Sequence, residues 1–180
     1  MIKGYANALF DIAKEDTTLN ECKESFDVFV AVLKDNEDFK LVLNSPKIKT
    51  QEKKDLIKNT FVGCDENFIH FLYVVLDNRR MDKINGIYEE FLHLYNEENK
   101  IKIVKVLSLN PLTSLEEEKL LQSLRVKYPS YEIRINNLVD SSVIGGYHIF
   151  VNGVSMDLSI KRKMTNLEEF LLTKPVKEVI

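Results

Sequence analysis

The chain is 180 residues long, 44% hydrophobic and 29% charged, with a formal charge of −3 at pH 7. That length suits one domain or two small ones, and the composition excludes collagen-like, low-complexity and disulfide-scaffold classes. Residues 1–105 carry the whole −3 and the remainder is neutral, so neither part has the basic excess of a nucleic-acid binder.

In chain order, the first hundred residues read as consecutive amphipathic helices. Tyr5, Ala8, Leu9, Ile12 and Ala13 are expected on one face of an opening helix. Leu19, Cys22, Phe26, Phe29, Val30 and Leu33 recur at steps of three and four. A short piece around Phe39–Leu43 stops at Ser45-Pro46, because proline disfavours helix in the residue before it. Thr50 is placed to cap a helix carrying Leu56, Ile57 and Phe61, and Gly63 follows where a left-handed residue is expected. A fifth helix, from Glu66 to about Asn78, is apolar on most sides. A sixth carries Ile84, Ile87, Tyr88, Phe91, Leu94 and Tyr95. Short links make such helices antiparallel neighbours, so an all-α six-helix bundle is expected.

The pattern changes near residue 100. Ile101 to Leu107 is β-branched or apolar and favours a strand, which Asn110-Pro111 breaks. Thr113 with Glu116, or Ser114 with Glu117, forms a capping box for a helix bearing Leu120, Leu121 and Leu124. Tyr131, Ile133 and Ile135 alternate with Glu132, Arg134 and Asn136 as a half-buried strand should. Gly145-Gly146 leads into Tyr147–Val151, Asn152-Gly153 signals a hairpin turn, and Val154–Leu158 returns. Ser159 caps a last helix with Ile160, Met164, Leu167 and Leu171 on one stripe. The expected fold is therefore an all-α six-helix N-terminal domain, residues 1–104, and a small α/β domain of order β-α-β-β-β-α, residues 105–180.

Catalytic and metal chemistry is not indicated. His70, His93 and His148 have no His or Cys at ligand spacing, and Cys22 and Cys64 read as reduced core thiols. No nucleophile elbow or phosphate-binding loop occurs, and Glu116-Glu117-Glu118 reads as a solvated run favouring a helix start. Gly145-Gly146 lacks a following helix and reads as a tight lead-in to the hairpin; Asp140 is equally suited to capping a turn or to chemistry. The basic cluster Lys161-Arg162-Lys163 is too short for an RNA-binding surface. No catalytic residue, metal or cofactor is expected. Residues 1–10 have no signal-peptide core, and no run approaches the roughly 18–20 apolar residues of a membrane span.

Several segments, in order and at matching spacing, carry a resemblance. They are Tyr5-Ala6-Asn7-Ala8-Leu9-Phe10-Asp11-Ile12-Ala13, Leu43-Asn44-Ser45-Pro46-Lys47-Ile48, Leu76-Asp77-Asn78-Arg79-Arg80-Met81 and Asn110-Pro111-Leu112-Thr113. The most specific is Val139-Asp140-Ser141-Ser142-Val143-Ile144-Gly145-Gly146-Tyr147-His148-Ile149, followed by Met156-Asp157-Leu158-Ser159. The chain resembles the delta subunit of F-type ATP synthases, the oligomycin-sensitivity-conferring protein family, from near residue 5 to near residue 172. It departs from that family at Arg79, where glycine is common, and at Phe150, where a polar or basic residue is common.

The resemblance implies a non-catalytic stator subunit that joins the catalytic head to the peripheral stalk. Its implied partners are the N-terminal helix of an α subunit and the C-terminal region of the b subunit, with no nucleic acid and no direct membrane insertion. The α-subunit helix would lie in a groove between the first and fifth helices, so Tyr5, Ala8, Leu9, Ile12, Phe71, Val74, Val75 and Asn78 are the expected contact residues. The implied location is the cytoplasmic face of the cell membrane, within the complex. The competing expectation is a helical RNA-binding regulator of the antitermination type, which the acidic first part disfavours.

Overall fold

The computed structural model describes residues 2–143, 145–151 and 154–157. The chain forms two compact units, Met1–Asn99 and Lys100–Ile180. The boundary expected between residues 104 and 105 therefore falls inside a strand, Ile101–Ser108, that belongs wholly to the second unit. The expected hairpin turn at Asn152-Gly153 and the last helix from Ser159 lie outside the described residues.

The first unit contains α1 (Ile2–Glu15), α2 (Leu19–Asp35), α3 (Glu37–Asn44), α4 (Thr50–Thr60), α5 (Glu66–Asp77) and α6 (Ile84–Glu98). A turn of 3-10 helix, Met81–Lys83, precedes α6. The helices share one apolar core with Phe26 of α2 near its middle. Its ring meets Phe68 and Phe71 of α5 at centroid distances of 4.9 and 6.0 Å. It meets Tyr88 and Phe91 of α6 at 5.0 and 5.7 Å. Tilted rings at such separations are favourable beyond their burial.

The helix ends differ in part from what the spacing predicts. Thr50 is the first residue of α4 and makes no cap; Lys49 stands at that position without a side-chain bond. The polar link between α3 and α4 is instead made by Lys53, which is only 9% exposed. Its ammonium donates to the carbonyls of Leu43 and Ser45, both at 2.7 Å, and so satisfies carbonyls at the end of α3. The α5 N-terminus is capped by the Asp65 carboxylate, which accepts from the Phe68 N–H at 2.9 Å. Beyond α5, Arg79 has φ of +54°, so the left-handed geometry that glycine favours is present with an arginine in it.

The second unit contains β1 (Ile101–Ser108), α7 (Ser114–Lys127), β2 (Glu132–Val139), β3 (Tyr147–Val151) and β4 (Val154–Asp157). The sheet order is β2-β1-β3-β4. β1 and β2 are parallel, joined through α7; β3 is antiparallel to β1, and β4 to β3. The register puts Val104, Val106, Ile149 and Val151 in a core with Leu124 of α7. The other face carries Ile103, Lys105 and Leu107 beside Arg134, Asn136 and Leu138.

Two polar clusters fix how α7 joins this sheet. Asn137 of β2 donates to the Val106 carbonyl at 3.1 Å and the Ser108 hydroxyl at 2.7 Å. Its side-chain oxygen accepts the Leu112 N–H at 2.9 Å, which fixes the approach to α7. Thr113 and Glu116 then form the capping box, the first of the two expected pairs. Tyr147, which follows the positive-φ pair Gly145 and Gly146, donates to the other Glu116 oxygen at 2.6 Å. Replacing Asn137 by Leu leaves the Leu112 N–H without its acceptor, in a part-buried position. The expected loss is about 1–3 kcal/mol, read as a lower urea midpoint at unchanged slope.

Candidate interaction faces

The α1–α5 contact is set at two points. The Tyr5 and Phe71 rings meet edge-on at 6.5 Å, and the Asn67 amide donates to the Asp16 carboxylate at 2.9 Å. Residue number rises along α1 between these points and falls along α5, so the helices run in opposite senses. The eight expected contact residues separate by helical phase. Leu9, Phe71 and Val75 are buried in the core of the unit. They cannot offer surface to a partner while the core is closed.

The residues beside that buried stripe face outward. Ile12 is 47% exposed and Val74 is 50% exposed. Ala8 and Asn78 are exposed, and Tyr5 is half-buried over Phe71. The Asn78 amide donates to the Val74 carbonyl at 2.8 Å, so part of its hydrogen-bonding capacity is used to finish α5. The expected inward face of α1 is thus rotated. Ala6 and Phe10 join Leu9 and Ala13 inside, and Ala8 and Ile12 leave. Phe10 could have been identified by its i, i+3 spacing to Ala13 and its ring partner on α6, Phe91 at 6.4 Å.

Sequence alternation did not single out a second apolar face, on the side of the sheet away from α7. Leu107 stands between Leu138 of β2 and His148 of β3, and Lys105 stands beside Phe150. Ile103 and Leu138 are exposed, while Leu107, His148 and Phe150 are half-buried. The His148 and Phe150 rings lie 4.4 Å apart. Phe150 therefore adds apolar area to the outer face. Its neighbours in sequence, Ile149 and Val151, point into the core.

The shifted ionisable groups have structural causes. Bonds from Thr113, then Tyr147, hold the Glu116 carboxyl down at about 2, and Glu116 in turn pushes the Tyr147 hydroxyl up to about 12. Asp140 is lowered by the Ser142 N–H, the turn-capping role. Burial, then the charge of Asp65, pushes the Cys22 thiol up to about 12, so it is protonated at neutral pH. Burial, then Asp27, raises the Tyr88 hydroxyl, which donates to that carboxylate at 2.6 Å. No group of three or more candidate metal-binding side chains occurs among the described residues.

These two units, a helical one and a small four-stranded α/β one, are matched over nearly the whole chain by one family. The model of the ATP synthase delta (OSCP) subunit matches residues 2–171. ATP synthase subunit delta of Anoxybacillus flavithermus is 34% identical over 94% of this chain and 95% of its own length. The Geobacillus sp. subunit delta is 32% identical over 94% and 96%, and that of Bacillus velezensis 31% over 94% and 93%. A chain of the Toxoplasma gondii mitochondrial ATP synthase hexamer, solved by cryo-EM, shares the fold. Its TM-score is 0.78 at 20% identity, covering 97% of this chain and 99% of that one.

The chain belongs to the ATP synthase delta (OSCP) subunit family. Its function is that of a stator subunit of the F-type ATP synthase, as the resemblance implies, and the RNA-binding alternative finds no support.

The Glu116 cluster has a defined acid response. Its folded pKa lies below the ordinary 4.5, so its contribution to stability is complete above that pH and is lost as pH falls toward about 2. Glu116→Gln should lower the unfolding midpoint above pH 4.5, and the gap to the parent should close on acidification, as urea melts across that range would show.

Proposed function

We propose that the helical unit, acting as a six-helix bundle, receives the N-terminal helix of an α subunit on the outward side of the α1–α5 pair. The sheet face of the second unit away from α7 would receive the C-terminal region of the b subunit. Such a molecule does no chemistry. It works as a joint that keeps the catalytic head from turning with the rotating shaft, and it reaches the cytoplasmic face of the cell membrane only through its partners. No helix among the described residues is long and apolar enough to cross a membrane.

The observation that carries this reading is the outward position of Val74. It lies on a helix whose Phe71, Leu72, Val75 and Leu76 already fill the core. An amphipathic helix binds by laying apolar anchors into such a strip. Ala8 leaves room for backbone approach, while Tyr5, Ile12 and Val74 supply contact area. Leu9 and Val75 support the strip from beneath, and Asn78 closes one end of it. The arrangement on the sheet favours the b subunit for a similar reason. Leu138, Leu107 and His148 form a row across three strands, next to the row of Asn136, Lys105 and Phe150.

A stable joint buries about 800 Å² on each partner, and truncating a central anchor costs about 2 kcal/mol or more. Val74→Asp should therefore weaken binding of an α-subunit N-terminal peptide by about 30-fold or more in titration calorimetry. Its effect on folding should stay within about 0.5 kcal/mol, since the position is a surface one. Leu9→Ala should instead destabilise the unit by about 2–5 kcal/mol. Unchanged peptide affinity for Val74→Asp would rule out this face.

A further inference from the structure

Where the α3–α4 loop meets the end of α5, the helical unit contains a cavity of about 120 Å³. Lys53 and Arg79 both line it, together with the polar residues Asn44, Ser45 and Thr50, and no acidic residue does. We propose that this cavity binds a phosphate group, with Lys53 and Arg79 as its two cations. This site is separate from the α1–α5 face and does not rest on the partner assignments above.

Three observations converge on an anion. Lys53 is fixed: two of its three ammonium N–H bonds go to the Leu43 and Ser45 carbonyls, leaving one for a ligand. A lysine charge this deeply buried is costly without a counter-charge. Among the described residues Lys53 has carbonyl partners and no carboxylate. Arg79, by contrast, is exposed at the mouth of the cavity, and its guanidinium has neither an ion pair nor a hydrogen bond to protein among the described residues, so it is free to turn to a ligand. Neighbouring Lys54 is already paired with Asp77 at 2.7 Å and does not compete for the ligand.

The wider field has the same sign. Residues 45–60 contain Lys47, Lys49, Lys53, Lys54 and Lys58 against Glu52 and Asp55, within a chain that is acidic overall. Positive charge around a concave site raises the local anion concentration. The cavity has room for a tetrahedral oxyanion. Guanidinium forks match phosphate oxygens in pairs, and an ammonium adds a point charge. The ligand is thus free phosphate, or the terminal phosphate of a molecule whose remainder lies outside.

The test is a titration of the full chain with inorganic phosphate at low salt, followed by amide NMR. Saturable shifts confined to residues 43–53 and 76–81 are expected, with a Kd on the order of 1 mM. Arg79→Gly is the informative variant, because glycine suits a φ of +54° and stability should hold or rise. It should still weaken phosphate binding at least tenfold. A parallel titration with ADP separates the sources: tighter binding than phosphate assigns a nucleotide tail, and equal or weaker binding assigns free phosphate. Shifts that fail to saturate, that sodium chloride reproduces at equal ionic strength, or that Arg79→Gly leaves unchanged would overturn the site.

Discussion

The helical unit depends on the aromatic contact between α2, α5 and α6. Phe26 touches rings on both other helices, and each of those rings is fixed by its own helical phase. Once Phe68, Phe71, Leu72, Val75 and Leu76 are turned toward Phe26, α5 has no freedom left to hide Val74. An exposed apolar strip is thus a geometric consequence of a filled core on a helix with apolar residues on too many sides. Tyr5, stacked edge-on over Phe71, carries the same constraint to α1. The docking proposed above would use this strip, because the core holds one side of α5 and leaves Val74 on the other.

The second unit solves a different problem. Among the described residues the sheet and α7 share a small core, so polar contacts set the position of that helix. Asn137 ties two strands to the approach of α7, and Glu116 ties the first turn of α7 to Tyr147 on β3. Both use side chains that look ordinary in sequence. Asn137 sits at an inward position of β2, where an alternation argument expects an apolar residue. Glu116 sits in an acidic run that suggests only solvation and a favourable helix dipole. Their importance comes from partners about thirty residues away, which spacing along the chain does not reveal.

Much of the fold was legible. The i, i+3 and i, i+4 recurrence placed α2, α5 and α6, proline and glycine marked the ends of α3 and α4, and the capping box opened α7. What failed, failed at helix ends and phases. Thr50 has the chemistry of a cap, yet Lys53 from within α4 bonds the α3 carbonyls and α4 begins without one. On α1, Leu9, Ala13 and their flanking residues admit two inward faces that differ by a small rotation. Only contact with α6, through Phe10 and Phe91, chooses between them. The candidate face divided for the same reason. The resemblance pointed to α1 and α5, and neighbour contacts decided which of the eight residues lie in the core.

The residues alone carry the family and the change from helical to strand-forming pattern near residue 100. Local propensity, periodicity and motif order are properties of the chain, and they survive without coordinates. Tertiary structure alone decided that Val74 and Ile12 stay outside while Val75 and Leu9 go in, and that Lys53 and Arg79 share a cavity. Those outcomes depend on helix rotation and on meetings between distant segments. Both are set by how all the cores close at once.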